Sequence, residues 1–220
     1  MIPTITTFGW VPAFARGFVR DLRPRWAFEE VGQPYQVDLI TDSKSADHRR
    51  FQPFGQVPTY CDDEVAIFES GAIVLRIAER ARKLIPVDPA PRMRALQWLA
   101  AALNSVEPYV MALAINDIFE ADREWCRARH LKVVADLRAR LVDLEAALGD
   151  NVWLDGNEFT IGDLMMISVL SGLRGTAEVA DFPRLAGYIA RGESRPAHRK
   201  AMADHMATFD APALARFVAD

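Results

Sequence analysis

Cysteine is scarce in this 220-residue chain, and the two present, Cys61 and Cys126, lie far apart with no Cys-x-x-Cys. A disulfide framework and a dithiol redox motif are thereby excluded, and a reduced, cytoplasmic protein is the simplest inference. No His-Glu-x-x-His and no Cys/His metal spacing occurs, so no metal site is expected. The absence of Gly-x-Gly-x-x-Gly removes the dinucleotide fingerprint. No apolar run approaches the roughly 20 residues needed to span a bilayer. The N-terminus, Met-Ile-Pro-Thr-Ile, lacks the basic start and apolar core of a signal peptide. A net charge of −4 with scattered basic residues argues against a nucleic-acid partner. Neither a nucleic acid nor a membrane is expected as a partner. Internal repeats and low-complexity tracts are lacking too.

What remains is ordinary for a globular protein, 50% hydrophobic and 25% charged. Residues 3–8 read as a strand. The spacing of Phe18, Leu22, Trp26 and Phe28 predicts an amphipathic helix from Phe14 to Val31, with Pro24 awkward in its interior and Gly32 ending it. Residues 35–40 alternate as a second strand, and 44–51 suggest a short helix. A hairpin follows (Thr59–Cys61, an acidic turn, Val65–Phe68), with Cys61 reading as strand core. A helix then runs from Ser70 through Ala72, Ile73, Leu75 and Ile77. This β-α-β-α-β-β-α order is that of a thioredoxin-like domain, with helices on the faces of a mixed sheet. Three prolines in Ile85–Pro91 read as a linker. Beyond it helical periodicity continues over 92–120, 123–149, 160–174, 183–192 and 196–206. The expected architecture is α/β plus all-α: a first domain over 1–83, a linker over 84–91 and a helical bundle over 92–220.

The stretch 52–70 carries the most information. Pro58 has no N–H for a ladder, so it belongs at a strand edge or turn. A cis Val57–Pro58 bond would turn both polar backbone groups of Val57 toward a ligand. Ser70 opens a helix, where free N–H groups and the dipole favour a carboxylate. Glu69, one residue earlier, can accept from an ammonium group. Taken alone, Ser70 reads more simply as an N-cap and Glu69 as a first-turn acid, since caps are commoner than ligand sites. Together they suit a small ligand with adjacent amine and carboxylate.

Gly55-Gln56-Val57-Pro58 and Glu69-Ser70-Gly71-Ala72-Ile73 resemble the glutathione site of the glutathione transferases, in residue type and in spacing. The segment Phe159-Thr160-Ile161-Gly162-Asp163-Leu164 has the form of a capping box, Thr160 and Asp163 answering each other and Phe159 stapling onto Leu164. It resembles the box that starts the central helix of that family's C-terminal domain. The tail from Phe182 to Ala197 resembles the family's last helices. The resemblance implies a homodimer with glutathione as co-substrate, no tightly bound cofactor, and addition of glutathione to a small hydrophobic electrophile. It also implies contacts of Val57 and Pro58 with the cysteinyl part, of Glu69 and Ser70 with the γ-glutamyl end, and of Gln56 and Lys44 near the glycine carboxylate. The electrophile pocket is expected between the domains, with Trp10, Phe14, Tyr109, Met111 and Ile115 as lining candidates. A core role is open for Met111 and Ile115.

One expected group is missing. A free thiol has a pKa of about 8.5, and lowering it by about 2 units needs some 2.7 kcal/mol of preferential thiolate stabilisation. Most of the family supplies part of this from a Tyr, Ser or Cys near the start of helix 1. From Phe8 to Glu30 this chain has no Tyr, Ser, Cys or Thr, and Phe18 stands at the usual position. The candidates are therefore Arg16 or Arg20 acting through charge, Trp10 or backbone N–H groups aided by a helix dipole, and Thr6 or Thr7. A non-catalytic glutathione-binding or interaction module of the same fold is the alternative to an enzyme.

Overall fold

The computed structural model describes residues 1–209, which form two compact units. The first comprises Met1–Leu84 and the segment from Arg195 onward, the second Ile85–Ser194.

The first unit is built on a four-stranded sheet of β1 (Thr4–Phe8), β2 (Gln36–Ile40), β3 (Thr59–Cys61) and β4 (Ala66–Phe68), in the order β2-β1-β3-β4. β1 runs parallel to β2 and antiparallel to β3, and β3 and β4 form the hairpin. Its helices in the N-terminal segment are α1 (Leu22–Val31), α2 (Ala46–Arg49) and α3 (Ser70–Ala81). α1 packs against α3, and Trp26, Phe28, Ile73, Val74 and Ile77 are fully buried. The order of elements is the thioredoxin-like one. Cys61, read as core, is exposed instead. Strand alternation puts Tyr60 inside and turns its neighbour outward.

α1 starts eight residues later than periodicity from Phe14 predicts. A 3₁₀ turn at Ala13–Ala15 and a left-handed Gly17 (φ 82°) precede it. Pro24 is thus the third helical residue, where its missing N–H would have no intrahelical partner. The helix ends at left-handed Gly32, whose N–H donates to Phe28 O at 2.9 Å.

The second unit is helical: α4 (Pro89–Ala101), α5 (Glu107–Ala114), α6 (Cys126–Leu148), α7 (Ile161–Leu170) and α8 (Pro183–Glu193). Pro89 and Pro91, read as linker, lie in the first turn of α4, the one place in a helix where a missing N–H is harmless. A π-helical turn at Ala102–Val106 joins α4 to α5 just before Pro108, which cannot supply a helical N–H. A second π turn follows at Ile115–Phe119. Pro89–Phe119 is therefore one helical run of 31 residues, long and apolar enough to cross a membrane by length and composition alone. That corrects the expectation of no such run: between Ala95 and Asn116 only Glu107 is charged. Here α4 packs on α7 and α5 on α6. α7 is buried almost all round, from Ile161 to Leu170. Thr160 caps it, accepting from Gly162 N–H at 3.2 Å, and Asp163 Oδ2 closes the box by accepting from Thr160 N–H at 2.9 Å.

The last helix, α9 (Pro196–Phe209), packs on α1 and belongs to the first unit. Chain order assigns it to the helical domain, and residues 210–220 of that assignment lie outside the described residues. Trp26 meets His198 edge-on at 4.7 Å, and Arg195 Nε and Nη2 donate to the two Glu30 carboxylate oxygens at 2.5 and 2.7 Å.

Candidate functional site

Strand register assembles the site. Thr59 pairs with Phe68 across the hairpin, so Pro58 and Glu69 follow side by side just beyond that pair. Tyr60 pairs with Ile5, which brings Thr6 of β1 opposite Thr59. The Thr6 hydroxyl accepts from Thr59 N–H at 2.8 Å and lies 3.0 Å from its hydroxyl. The end of β1, the start of β3, the end of β4 and the N-terminus of α3 thus share one edge of the sheet.

The Val57–Pro58 bond at this edge is cis. Val57 is 7% exposed, and no hydrogen bond among the described residues uses its N–H or C=O. Glu69 is exposed and holds a left-handed φ of 69°, a conformation rare outside glycine. It is the N-cap residue of α3, yet its side chain makes no capping bond. Its carbonyl accepts from Ile73 N–H at 2.9 Å. The N–H groups of Ser70, Gly71 and Ala72 belong to the first turn and have no intrahelical acceptor. Ser70 is buried at 4% exposure, and its Oγ accepts from Arg23 Nη1 at 3.0 Å.

The other predicted residues have definite places. Gln56 is exposed, and its carbonyl lies 2.6 Å from His48 Nε2. Lys44 Nζ donates to Phe54 O at 3.0 Å and Gly55 O at 2.8 Å, so it braces the loop before Val57. That loop needs Gly55: its φ is +62°, and a Cβ there would stand 2.7 Å from both Lys44 Cδ and Ser43 O. Arg16 is half-buried, with its guanidinium carbon 6.0 Å from the Phe209 ring centre. It lies six residues ahead of α1. Trp10 and Phe14 are about half exposed. Thr6 is committed to the sheet, and Thr7 is fully buried. In the second unit Met111 and Ile115 are half-buried. There Tyr109 accepts from Arg140 Nη2 at 3.1 Å, beneath a guanidinium 4.9 Å from the ring centre.

Arg23 is the residue that sequence reasoning misses, together with the Asp21–Arg25–His205 group behind it. Asp21 and His205 are fully buried, and Arg25 Nε pairs with Asp21 Oδ2 at 2.7 Å. A signal for them exists. Pro24 marks residues 21–25 as the first turn of a helix, where cations face the positive end of the dipole. Arginines kept there need anionic or acceptor partners.

Residues 7–79 match the family described as glutathione S-transferase, N-terminal domain, and residues 97–191 match glutathione S-transferase, C-terminal domain. Glutathione S-transferase F10 of Arabidopsis thaliana is 30% identical over 170 residues, covering 70% of this chain and 75% of that protein. Among solved structures, the theta class glutathione S-transferase of Xanthomonas axonopodis pv. citri, with glutathione bound, superposes with a TM-score of 0.78 at 25% identity, covering 91% of this chain and 96% of that one. A glutathione transferase family member from Pseudomonas fluorescens pf-5, with two glutathione bound, gives a TM-score of 0.81 at 20% identity over 91% and 92% of the two chains, a likeness of fold.

Proposed function

The chain belongs to the glutathione S-transferase family, and on that premise we propose that it binds glutathione and adds it to a small hydrophobic electrophile, as a cytoplasmic homodimer that serves detoxification. The observation that carries this reading is the unused Val57 backbone pair beside the open N-terminus of α3. A nearly buried N–H and C=O without partners cost stability unless something pairs with them. An extended peptide with a cysteinyl unit does so in the antiparallel manner, and its γ-glutamyl end then falls at Glu69 and Ser70. Glu69 accepts from the ammonium group, and the α3 N-terminus takes the carboxylate. Gln56 and Lys44 serve the glycine end. Trp10, Phe14, Tyr109, Met111 and Ile115 are assigned to the electrophile.

Sulfur activation falls to Arg16 or Trp10 in this proposal, since no hydroxyl or thiol occurs between Phe8 and Glu30. That same gap favours a second reading, a glutathione-binding module without turnover. Calorimetric titration with glutathione, beside a conjugation assay on a panel of electrophiles, separates the two. Binding with turnover supports the enzyme, binding without turnover across the panel supports the module, and no binding overturns both. For the enzyme, Arg16→Ala raises the pKa of the bound thiol. An unchanged thiol pKa removes Arg16 from that role.

A further inference from the structure

Arg23 lies in the first turn of α1, 6% exposed, with Nη1 3.0 Å from the Ser70 hydroxyl oxygen. A guanidinium only donates, so Ser70 Oγ is the acceptor in this bond. The Ser70 O–H must then point elsewhere, and it meets no acceptor among the described residues. Three features therefore converge at the start of α3: a hydroxyl with its proton uncommitted, on a residue only 4% exposed, first-turn N–H groups, and a positive charge directly behind the hydroxyl. Each favours one oxyanion. The charge is also held against its own helix, because Arg23 stands at the positive end of the α1 dipole. Local rules broken inside a protein mark functional sites.

We propose that Arg23 is the positioning residue for anion recognition at Ser70. It fixes the Ser70 rotamer, polarises the O–H outward, and makes this subsite depend on a carboxylate in the ligand. The inference rests on the glutathione reading above and deepens it: the carboxylate is the α-carboxylate of a γ-glutamyl peptide. α1 thereby takes part in ligand selection through a residue that touches no ligand atom.

The test compares glutathione with its decarboxylated analogue, 4-aminobutyryl-cysteinyl-glycine, by calorimetry on the full chain. Arg23→Met is expected to weaken glutathione binding at least about tenfold, the scale of one lost charge-assisted hydrogen bond, and to leave the analogue within about twofold of its wild-type value. Ser70→Ala combined with Arg23→Met is expected to cost little more than the larger single change, since both act at one point. Arg23→Lys keeps the charge and the fold if the methionine variant does not fold, and is expected to fall between wild type and Arg23→Met, again for glutathione alone. Equal binding of glutathione by wild type and both variants overturns the proposal. So does an equal loss for both ligands, which would mark a structural arginine. Failure of the wild-type chain to bind either ligand overturns the glutathione reading itself, a result distinct from these two.

Discussion

Asp62, in the acidic turn after β3, is not a solvated turn residue. It is 6% exposed and accepts from Tyr60 Oη at 2.7 Å, from the Glu64 and Val65 N–H groups at 2.8 Å each, and from Arg76 and Arg80 on α3. Burial pushes its carboxyl up, but the hydrogen bonds from Tyr60, the two amides and Arg76 outweigh burial and hold it well below the usual range. Burial, joined by the hydrogen bond to Asp62, pushes the Tyr60 phenol up to about 12. A carboxyl whose folded pKa is depressed adds stability above its unfolded pKa of about 3.9, and that stability is lost as pH falls through the folded value. Asp62→Asn is therefore expected to destabilise the protein by about 3 kcal/mol at pH 7, with a smaller difference from wild type as pH falls below about 4. Urea unfolding at several pH values reads this directly, and a pH-independent difference would refute it. At this scale the sequence shows which residues are acidic but not which one is buried. Asp62, Asp63 and Glu64 read alike, and only the pairing of Cys61 with Ala66 turns Asp62 inward beneath α3.

Element boundaries are legible where a side chain closes on its own backbone and obscure where distant packing decides. The α7 box is of the first kind. Thr160 and Asp163 are three residues apart, and their bonds are local. What local reading does not reveal is that Asp163 also accepts from Leu154 N–H at 2.8 Å and from Tyr188 Oη at 3.1 Å, fully buried. Asp163→Ala is expected to cost about 3 kcal/mol, since it strands several buried donors. Thr160→Ala should cost about 1 kcal/mol, the usual value of a cap. Chemical denaturation of both variants checks the ratio, and equal costs would show that the cap alone matters. The start of α1 is of the second kind. Phe14 and Phe18 share the apolar spacing of the helix that follows, so periodicity runs straight through the turn at Gly17. Pro24 is the better guide, because an interior proline is costly and a first-turn proline is not. Moving the boundary to Leu22 puts Arg23 where it reaches Ser70.

Over the whole molecule, chain order and packing order part at the last helix. The two-part plan and the order of elements along the chain follow from local patterns, but the sheet order β2-β1-β3-β4 comes from long-range pairing, and nothing local in residues 196–209 says that α9 returns to α1. Its contacts are separated from their partners by more than 160 positions, as with His198 and Trp26 or His205 and Asp21. His205 shows what the return secures. Gly17 N–H donates to His205 Nε2 at 3.2 Å, so Nε2 is the acceptor and Nδ1 carries the proton that faces Asp21 Oδ2 at 3.3 Å. One ring from the end of the described chain thus holds the turn before α1 and the residue that precedes Leu22. Asp21 in turn pairs with Arg25, whose Nη2 donates back to Thr208 at 3.2 Å. Removing the ring leaves a buried amide and a buried carboxylate each short of a partner, so His205→Ala is expected to destabilise the first unit by about 3 kcal/mol. Because the same turn sets the position of Arg23, the variant is also expected to bind glutathione more weakly while still folded. Urea titration and calorimetry on one preparation test both effects. Lost stability with unchanged glutathione affinity would show that α9 supports the fold without reaching the subsite at Ser70.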